Sequence, residues 1–317
     1  MIWLIGCKGM LGSEVARQLD EKKLPWVGTG RDVDVTDPSA IDGFVRSLET
    51  ASYFPSDGLS VSDRQLRWII NCSAYANVDR AEDDAELAAR LNADGPRNIA
   101  RAARKAGARL IHISTDYVFD GKGDRPYLES DEKRPLGVYG KTKSAGEDEV
   151  MKEMNQYYII RTAWLYGFDG KNFVYTMTKL MNSHDSIKVV SDQFGTPTFA
   201  GDLASVILRF IERADGARSV IGSRSAPAYG IYHFTDAGET SWYDFACAIY
   251  RAGRKHSRIT SDCAVCPCTT AEYGAEVERP LYSVLSKDKI ASELRIKVPA
   301  WEASLDKFMR SQRFFPV

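Results

Sequence analysis

The start of the chain leaves few choices of fold. Met1 to Ile5 is wholly apolar and passes straight into Gly6, Gly9 and Gly12, spaced GxxGxxG, with Leu11, Val15 and Leu19 then recurring on one helical face. A buried strand, a glycine turn and an amphipathic helix together make a phosphate cradle. Glycines let the backbone turn tightly and approach a pyrophosphate, and the helix N-terminus meets its charge with unpaired amides. The motif alone is weak, because glycines in turns are common. Its position between a buried strand and an amphipathic helix makes dinucleotide binding the better reading.

The rest of the chain keeps the same rhythm. Strands are expected at Trp26–Thr29, Trp68–Cys72, Arg109–Ser114 and Tyr157–Arg161. Helices are expected at Pro38–Leu48, at Asp84–Ala106 with an interruption at Gly95-Pro96, and from Tyr139 onward. Alternating strands and helices argue for an α/β fold, a doubly wound parallel sheet with helices on both faces, whose ligands lie beyond the carboxyl ends of the strands. Gly6, Asn71, Thr115 and Arg161 all fall at such ends. Glu49 to Arg64, rich in Ser, Asp and Gly and without apolar period, is read as a surface loop.

Beyond Gly167 the pattern loosens. Helices are expected at Asn172–Met181, Gly201–Ala214, Trp242–Ala252 and Trp301–Arg310, a strand at Tyr229–Phe234, and a polar loop at Asp192–Thr198. The expected division is a dinucleotide-binding domain over 1–165, with 198–232 packing back onto it, and a smaller C-terminal α/β substrate lobe over 166–317.

Chemistry concentrates between Ile111 and Lys143. IHISTDYVFDG begins as an apolar strand and ends in Ser114, Thr115 and Asp116; YGKTK then sets Tyr139 and Lys143 one helical turn apart, on a shared face. An ammonium one turn away stabilises a phenolate, so Tyr139 can give or take a proton, and Thr115 can polarise a carbonyl. An isolated YxxxK is more often an exposed helix pair; the cradle at the N-terminus favours catalysis. At the end of the second strand, where an acidic residue would hold a ribose 2'-hydroxyl, the chain reads Gly28, Thr29, Gly30, Arg31. Arg31 suits a 2'-phosphate, while Asp32 and Asp34 just beyond leave the ribose alternative open.

A net charge of −1 speaks against a nucleic-acid partner. No apolar run approaches the ~18 residues of a membrane span, and no basic leader precedes the first strand, so a cytoplasmic protein is expected. Six cysteines, three of them at Cys263, Cys266 and Cys268, form no disulfide framework; without a second CxxC or paired His they read as free thiols, and no metal site is expected.

GxxGxxG, STDYVFDG, YGKTK, RTAWLYG, NF, DQFGTPT and ERP, in that order and over nearly the whole chain, resemble the extended short-chain dehydrogenase/reductases, and among them the dTDP-4-dehydrorhamnose reductases. Two departures are the Glu49–Arg64 insertion and Met10, where many relatives carry Gln. The resemblance implies a Rossmann-type fold and hydride delivery from NADPH, with NADH as an alternative, to the 4-keto carbon of a dTDP-sugar. It implies Thr115, Tyr139 and Lys143 as the catalytic group. Cofactor contacts would come from Gly6, Gly9, Met10, Leu11, Gly12, Arg31, Asn71, Ser73, Ala74, Tyr139, Lys143 and Arg161. The sugar nucleotide would meet Thr115, Val118, Phe119, Trp164, Asn172, Gln193 and Arg279. Relatives differ in whether they dimerise around a divalent ion; a homodimer is open here, and Glu14 on the first helix could take part in such a site, although a helix-surface carboxylate is usually just solvated. Sister reactions remain alternatives. Dehydration is disfavoured because the acid expected after Asp116 is Tyr117, and epimerisation because STDYVFDG is unlike epimerase sequences. The regulatory subunit of methionine adenosyltransferase resembles the same family and is the non-catalytic alternative.

Overall fold

The computed structural model describes residues 1–49, 65–216, 226–275 and 277–316. Of the segment read as a surface loop, residues 50–64 lie outside the described residues.

Strands β1 (Ile2–Ile5), β2 (Trp26–Thr29), β3 (Trp68–Asn71), β4 (Arg109–Thr115) and β5 (Tyr157–Thr162) form one parallel sheet, joined at its edge by a sixth strand, Gly230–His233. Every pairing is parallel. The spatial order runs from the sixth strand through β5, β4, β3 and β1 to β2, so the winding reverses between β1 and β3. Such a reversal opens a crevice at the strand ends where ligands bind.

Strand periodicity explains the layers. Ile2, Leu4, Trp68, Ile70, Ile111, Tyr158 and Ile160 point to one face, where they pack with Leu11, Val15 and Leu19 of helix α1 (Met10–Glu21) and with Leu203, Ile207 and Phe210 of the Ala200–Gly216 helix. The intervening Trp3, Ile5, Ile69, Leu110 and Ile159 point the other way, onto Ile41 and Val45 of α2 (Pro38–Glu49), Ile99 and Val150. Because both faces are covered, the middle of each strand is a near-continuous apolar run rather than an alternation, and polar residues gather at the strand ends. A third core, including Val174, Met177, Phe245, Ile249, Leu305 and Phe308, belongs to the C-terminal half.

Four local expectations need correction. The long helix after β3 begins at Arg80 rather than Asp84, breaks at Asp84, and passes through a π-turn, Arg90–Asp94, before continuing as Gly95–Lys105. Pro96 lacks an N–H and its ring crowds the carbonyl four residues back, and the widened turn relieves that conflict. The polar loop at Asp192–Thr198 contributes two short strands, Phe194–Gly195 and Thr198–Phe199, paired to Thr240–Ser241 and Leu165–Tyr166. A strand at Ser186–Val190, paired to Ala264–Cys268, and a helix at Asp288–Leu294 were not expected at all. Glu14 is not solvated: it is fully buried, one oxygen taking Arg17 Nε and Nη2 at 3.1 and 3.0 Å and the other Arg313 Nη1 at 2.5 Å. The C-terminal segment lies over that face of α1 and pairs its Arg313 with the carboxylate. No described helix is long and apolar enough to cross a membrane.

Candidate active site

At the switch point the glycine turn is packed to its limit. Gly6 has φ +77°, and a Cβ on Gly12 would lie 2.1 Å from the Gly6 carbonyl oxygen, so only glycine fits there. Gly9 caps α1 with no side-chain hydrogen bond, which leaves the first amides of the helix, those of Met10 and Leu11 among them, to meet a phosphate. The Leu11 side chain itself is in the core. Across the crevice, Asn71 Oδ1 accepts from Ser73 N at 3.0 Å and Ser73 Oγ at 2.6 Å, while Asn71 Nδ2 reaches His112 Nδ1 at 3.1 Å. Asn71 is thus a buried support for the turn, and Ser73 and exposed Ala74 are the residues on the crevice side. Asn92, in the π-turn, clamps the next residue: its side chain bonds Tyr75 N at 2.9 Å, Tyr75 O at 3.1 Å and Thr142 Oγ1 at 3.2 Å. Beyond β2, Asp32 accepts from Gly30 N at 2.7 Å and Asp34 from Thr36 N at 2.8 Å, so both acids serve local turns while Arg31 is exposed.

Thr115 ends β4, and Tyr139 and Lys143 stand on the Val138–Glu153 helix that packs against it. The Tyr139 hydroxyl lies beside Thr115, whose own hydroxyl donates to Asp116 Oδ1 at 2.9 Å. Burial pushes the Tyr139 phenol well above its ordinary value, the Thr115 hydroxyl offsets part of this, and the nearby Asp116 and Tyr117 add to it. This corrects the expectation of a phenol lowered by Lys143. The Lys143 ammonium instead donates to Ile113 O at 2.6 Å. Burial lowers Lys143 to about 8, against the attraction of Glu147, and raises Asp116 to about 6. Tyr117 leans edge-on against Tyr139, with ring centroids 5.4 Å apart.

Several expected ligand contacts have other occupations. Arg161 is 1% exposed, and its guanidinium grips Glu147 through Nε at 2.9 Å and Nη2 at 2.8 Å and lies over the Phe119 ring. It holds the helix of Tyr139 to the sheet and does not face the crevice. Asn172 caps its helix, accepting from Tyr175 N at 3.1 Å and donating to Gly167 O at 2.9 Å, and buried Gln193 donates to Thr270 Oγ1 at 3.1 Å. Val118 is wholly in the core; Phe119 stacks on Tyr127 at 4.3 Å but also lines a narrow cavity beside Tyr139. Trp164 has φ +47°, a conformation that costs an aromatic residue energy and marks functional sites, and its ring stacks on Trp242 at 3.6 Å. Arg279 faces the cavity wall, ion-paired with Asp79 and 3.4 Å from Tyr117 Oη.

Glu147, Asp116, Tyr117, Asn92 and Asp79 were not singled out for the site from sequence. For Glu147 a signal existed: Tyr139, Lys143 and Glu147 follow at successive i, i+4 spacing and so share one face. Asp116 and Tyr117 directly follow Thr115 in the chain, whereas Asn92 and Asp79 owe their positions to contacts between distant segments.

Comparison with known proteins accords with this geometry. A family model described as the RmlD substrate binding domain matches residues 1–314. A dTDP-4-dehydrorhamnose reductase of Streptomyces griseus is 38% identical over 307 residues, 96% of this chain and 91% of that one. Among solved structures, a dTDP-4-dehydrorhamnose reductase of Clostridium acetobutylicum superposes with a TM-score of 0.83 at 39% identity, covering 97% of this chain and 98% of that one. The Bacillus anthracis dTDP-4-dehydrorhamnose reductase, solved in complex with NADP, gives 0.83 at 33% identity and 97% coverage of both. With its Rossmann-type sheet, its glycine cradle and an end-to-end match, this chain belongs to the RmlD family.

Proposed function

We propose that the chain is an oxidoreductase that reduces the 4-keto group of dTDP-4-dehydro-6-deoxy-L-mannose to dTDP-L-rhamnose with NADPH, a step of nucleotide-sugar and polysaccharide biosynthesis. The observation that carries the reading is Thr115 at the end of β4 beside the helix that carries Tyr139 and Lys143, within a chain that matches the reductase family over residues 1–314. NADPH fits the residues present: the crowding at Gly6 and Gly12 leaves the close backbone approach a pyrophosphate needs, Arg31 is exposed for a 2'-phosphate, and the Bacillus anthracis relative was solved with NADP.

When bound, the cofactor supplies a hydride to the keto carbon. Tyr139 donates its proton to the ketone oxygen as general acid. Thr115 polarises the same oxygen, and Lys143, an ammonium below about pH 8, takes the nicotinamide ribose. Trp164 packs on the sugar, and Arg279 takes the diphosphate through charge-assisted bonds. In this reading residues 1–165 serve the cofactor and 166–317 the sugar nucleotide. The six free thiols support a reducing, cytoplasmic setting. The test is NADPH oxidation with the dTDP-keto sugar: no turnover refutes the reductase and favours the non-catalytic relative, and equal turnover with the matching UDP-sugar refutes the dTDP assignment.

A further inference from the structure

The cavity beside Tyr139 is narrow. Its walls include Val78, Tyr117, Phe119, Tyr139, Val277 and Pro280, and its volume of 10 Å³ is about that of one water. No sugar ring enters it. Two segments remote in sequence wall it: Val78, after β3, and Val277, Glu278 and Pro280 of a strap, residues 277–280, from the C-terminal half. The strap is pinned at one end, where a Cβ on Gly121 would lie 2.4 Å from Pro280 Cα and Tyr282 N donates to Gly121 O at 2.9 Å. Beside that pin, the Arg279 guanidinium is ion-paired with Asp79, so the pair ties the strap to the segment of Val78 on the facing wall.

We propose that Asp79 is the resting counter-ion of Arg279, and that a nucleoside diphosphate enters by exchange with it: the pyrophosphate takes the guanidinium from the Asp79 carboxylate and the strap lifts from Tyr139. Three observations carry this. Arg279 is the cation of the strap in contact with the opposite wall, and its Nη1 also reaches Tyr117 Oη at 3.4 Å, so the pair and the ring leaning on Tyr139 are one connected group. The Asp79 side chain is 60% exposed against 22% for Arg279, so the carboxylate can return to water cheaply while the guanidinium stays on the strap. A diphosphate also offers several oxygens to the guanidinium fork, where Asp79 offers one close contact. The ion pair thus ties the strap to the facing wall and gives way to the ligand chemistry that belongs there.

The inference rests on Arg279 binding the sugar nucleotide, and one double-mutant cycle separates the two. Calorimetric titration of dTDP into wild type, Asp79→Asn, Arg279→Ala and the double variant, each first checked for unaltered NADPH binding as proof of folding, gives the four affinities. An exposed pair of this kind is weak, so Asp79→Asn should bind dTDP about two- to fivefold tighter than wild type. The same substitution on the Arg279→Ala background should change nothing. A gain in affinity is not what loss of a merely structural contact produces. Unchanged or weaker binding by Asp79→Asn, or tightening that persists without Arg279, overturns the exchange while leaving the reductase reading intact. A wild-type chain that binds NADPH and no dTDP overturns both.

Discussion

Glu147→Gln is the substitution whose consequences the structure determines most completely. Glu147 is fully buried and accepts from Arg161 Nε and Nη2 and from Ser114 Oγ, at 2.9, 2.8 and 2.5 Å. The variant keeps the shape and removes the charge, leaving Arg161 at 1% exposure without its anion. Breaking one side of a buried pair costs about 3 to 5 kcal/mol. With an unfolding entropy of about 2.1 cal/mol/K per residue, a chain of 317 residues should lose about 4 to 8 °C in Tm. The pH dependence follows from signs. Burial pushes the Glu147 carboxyl up, but the Arg161 bonds, with Lys133 and Ser114, outweigh it and hold it below its ordinary range. Its stabilisation is therefore full above the ordinary carboxylate range and lost as pH falls through the lowered folded value, so the gap to the variant should be widest near neutrality and close in acid. Glu147 also supports the Lys143 charge, so the alkaline fall of kcat/KM should move to lower pH in the variant. Calorimetric melts across pH, with a pH-rate profile, check both. A loss under about 1 kcal/mol, as for an exposed pair, or an alkaline limb that moves upward, would refute the reasoning.

Tyr139→Phe should lower turnover by about 10²- to 10⁴-fold with NADPH affinity nearly unchanged, since only the proton donor is lost; a near wild-type rate would remove Tyr139 from the mechanism. Arg31→Ala should raise the Michaelis constant for NADPH and not for NADH, and equal effects on both would mean that Arg31 does not read the 2'-phosphate. Gly12→Ala puts a methyl 2.1 Å from the Gly6 carbonyl oxygen and should abolish NADPH binding in a fluorescence titration, whereas retained affinity would show that the turn can open.

Local pattern was enough to reveal the framework. The all-apolar β1, the glycines after it and the period of α1 depend on neighbours a few residues away, and β2 and the final helix, Trp301–Arg310, fall at the expected boundaries. Thr115, Tyr139 and Lys143 were legible for the same reason, because a strand end and an i, i+4 spacing fix which side chains can share a face.

What a polar side chain is used for was decided only by tertiary structure. Arg161, Asn172 and Gln193 carry chemistry suited to a ligand, yet burial requires each to find a partner inside the protein, and Glu147, the Tyr175 amide and Thr270 supply them. Glu14 reads as a helix-surface acid until the C-terminal Arg313 covers it. Arg279 meets Asp79 across 200 residues of sequence. Pairings at that range leave no periodic trace in the chain, because only the packed sheet and lobe bring the two partners together.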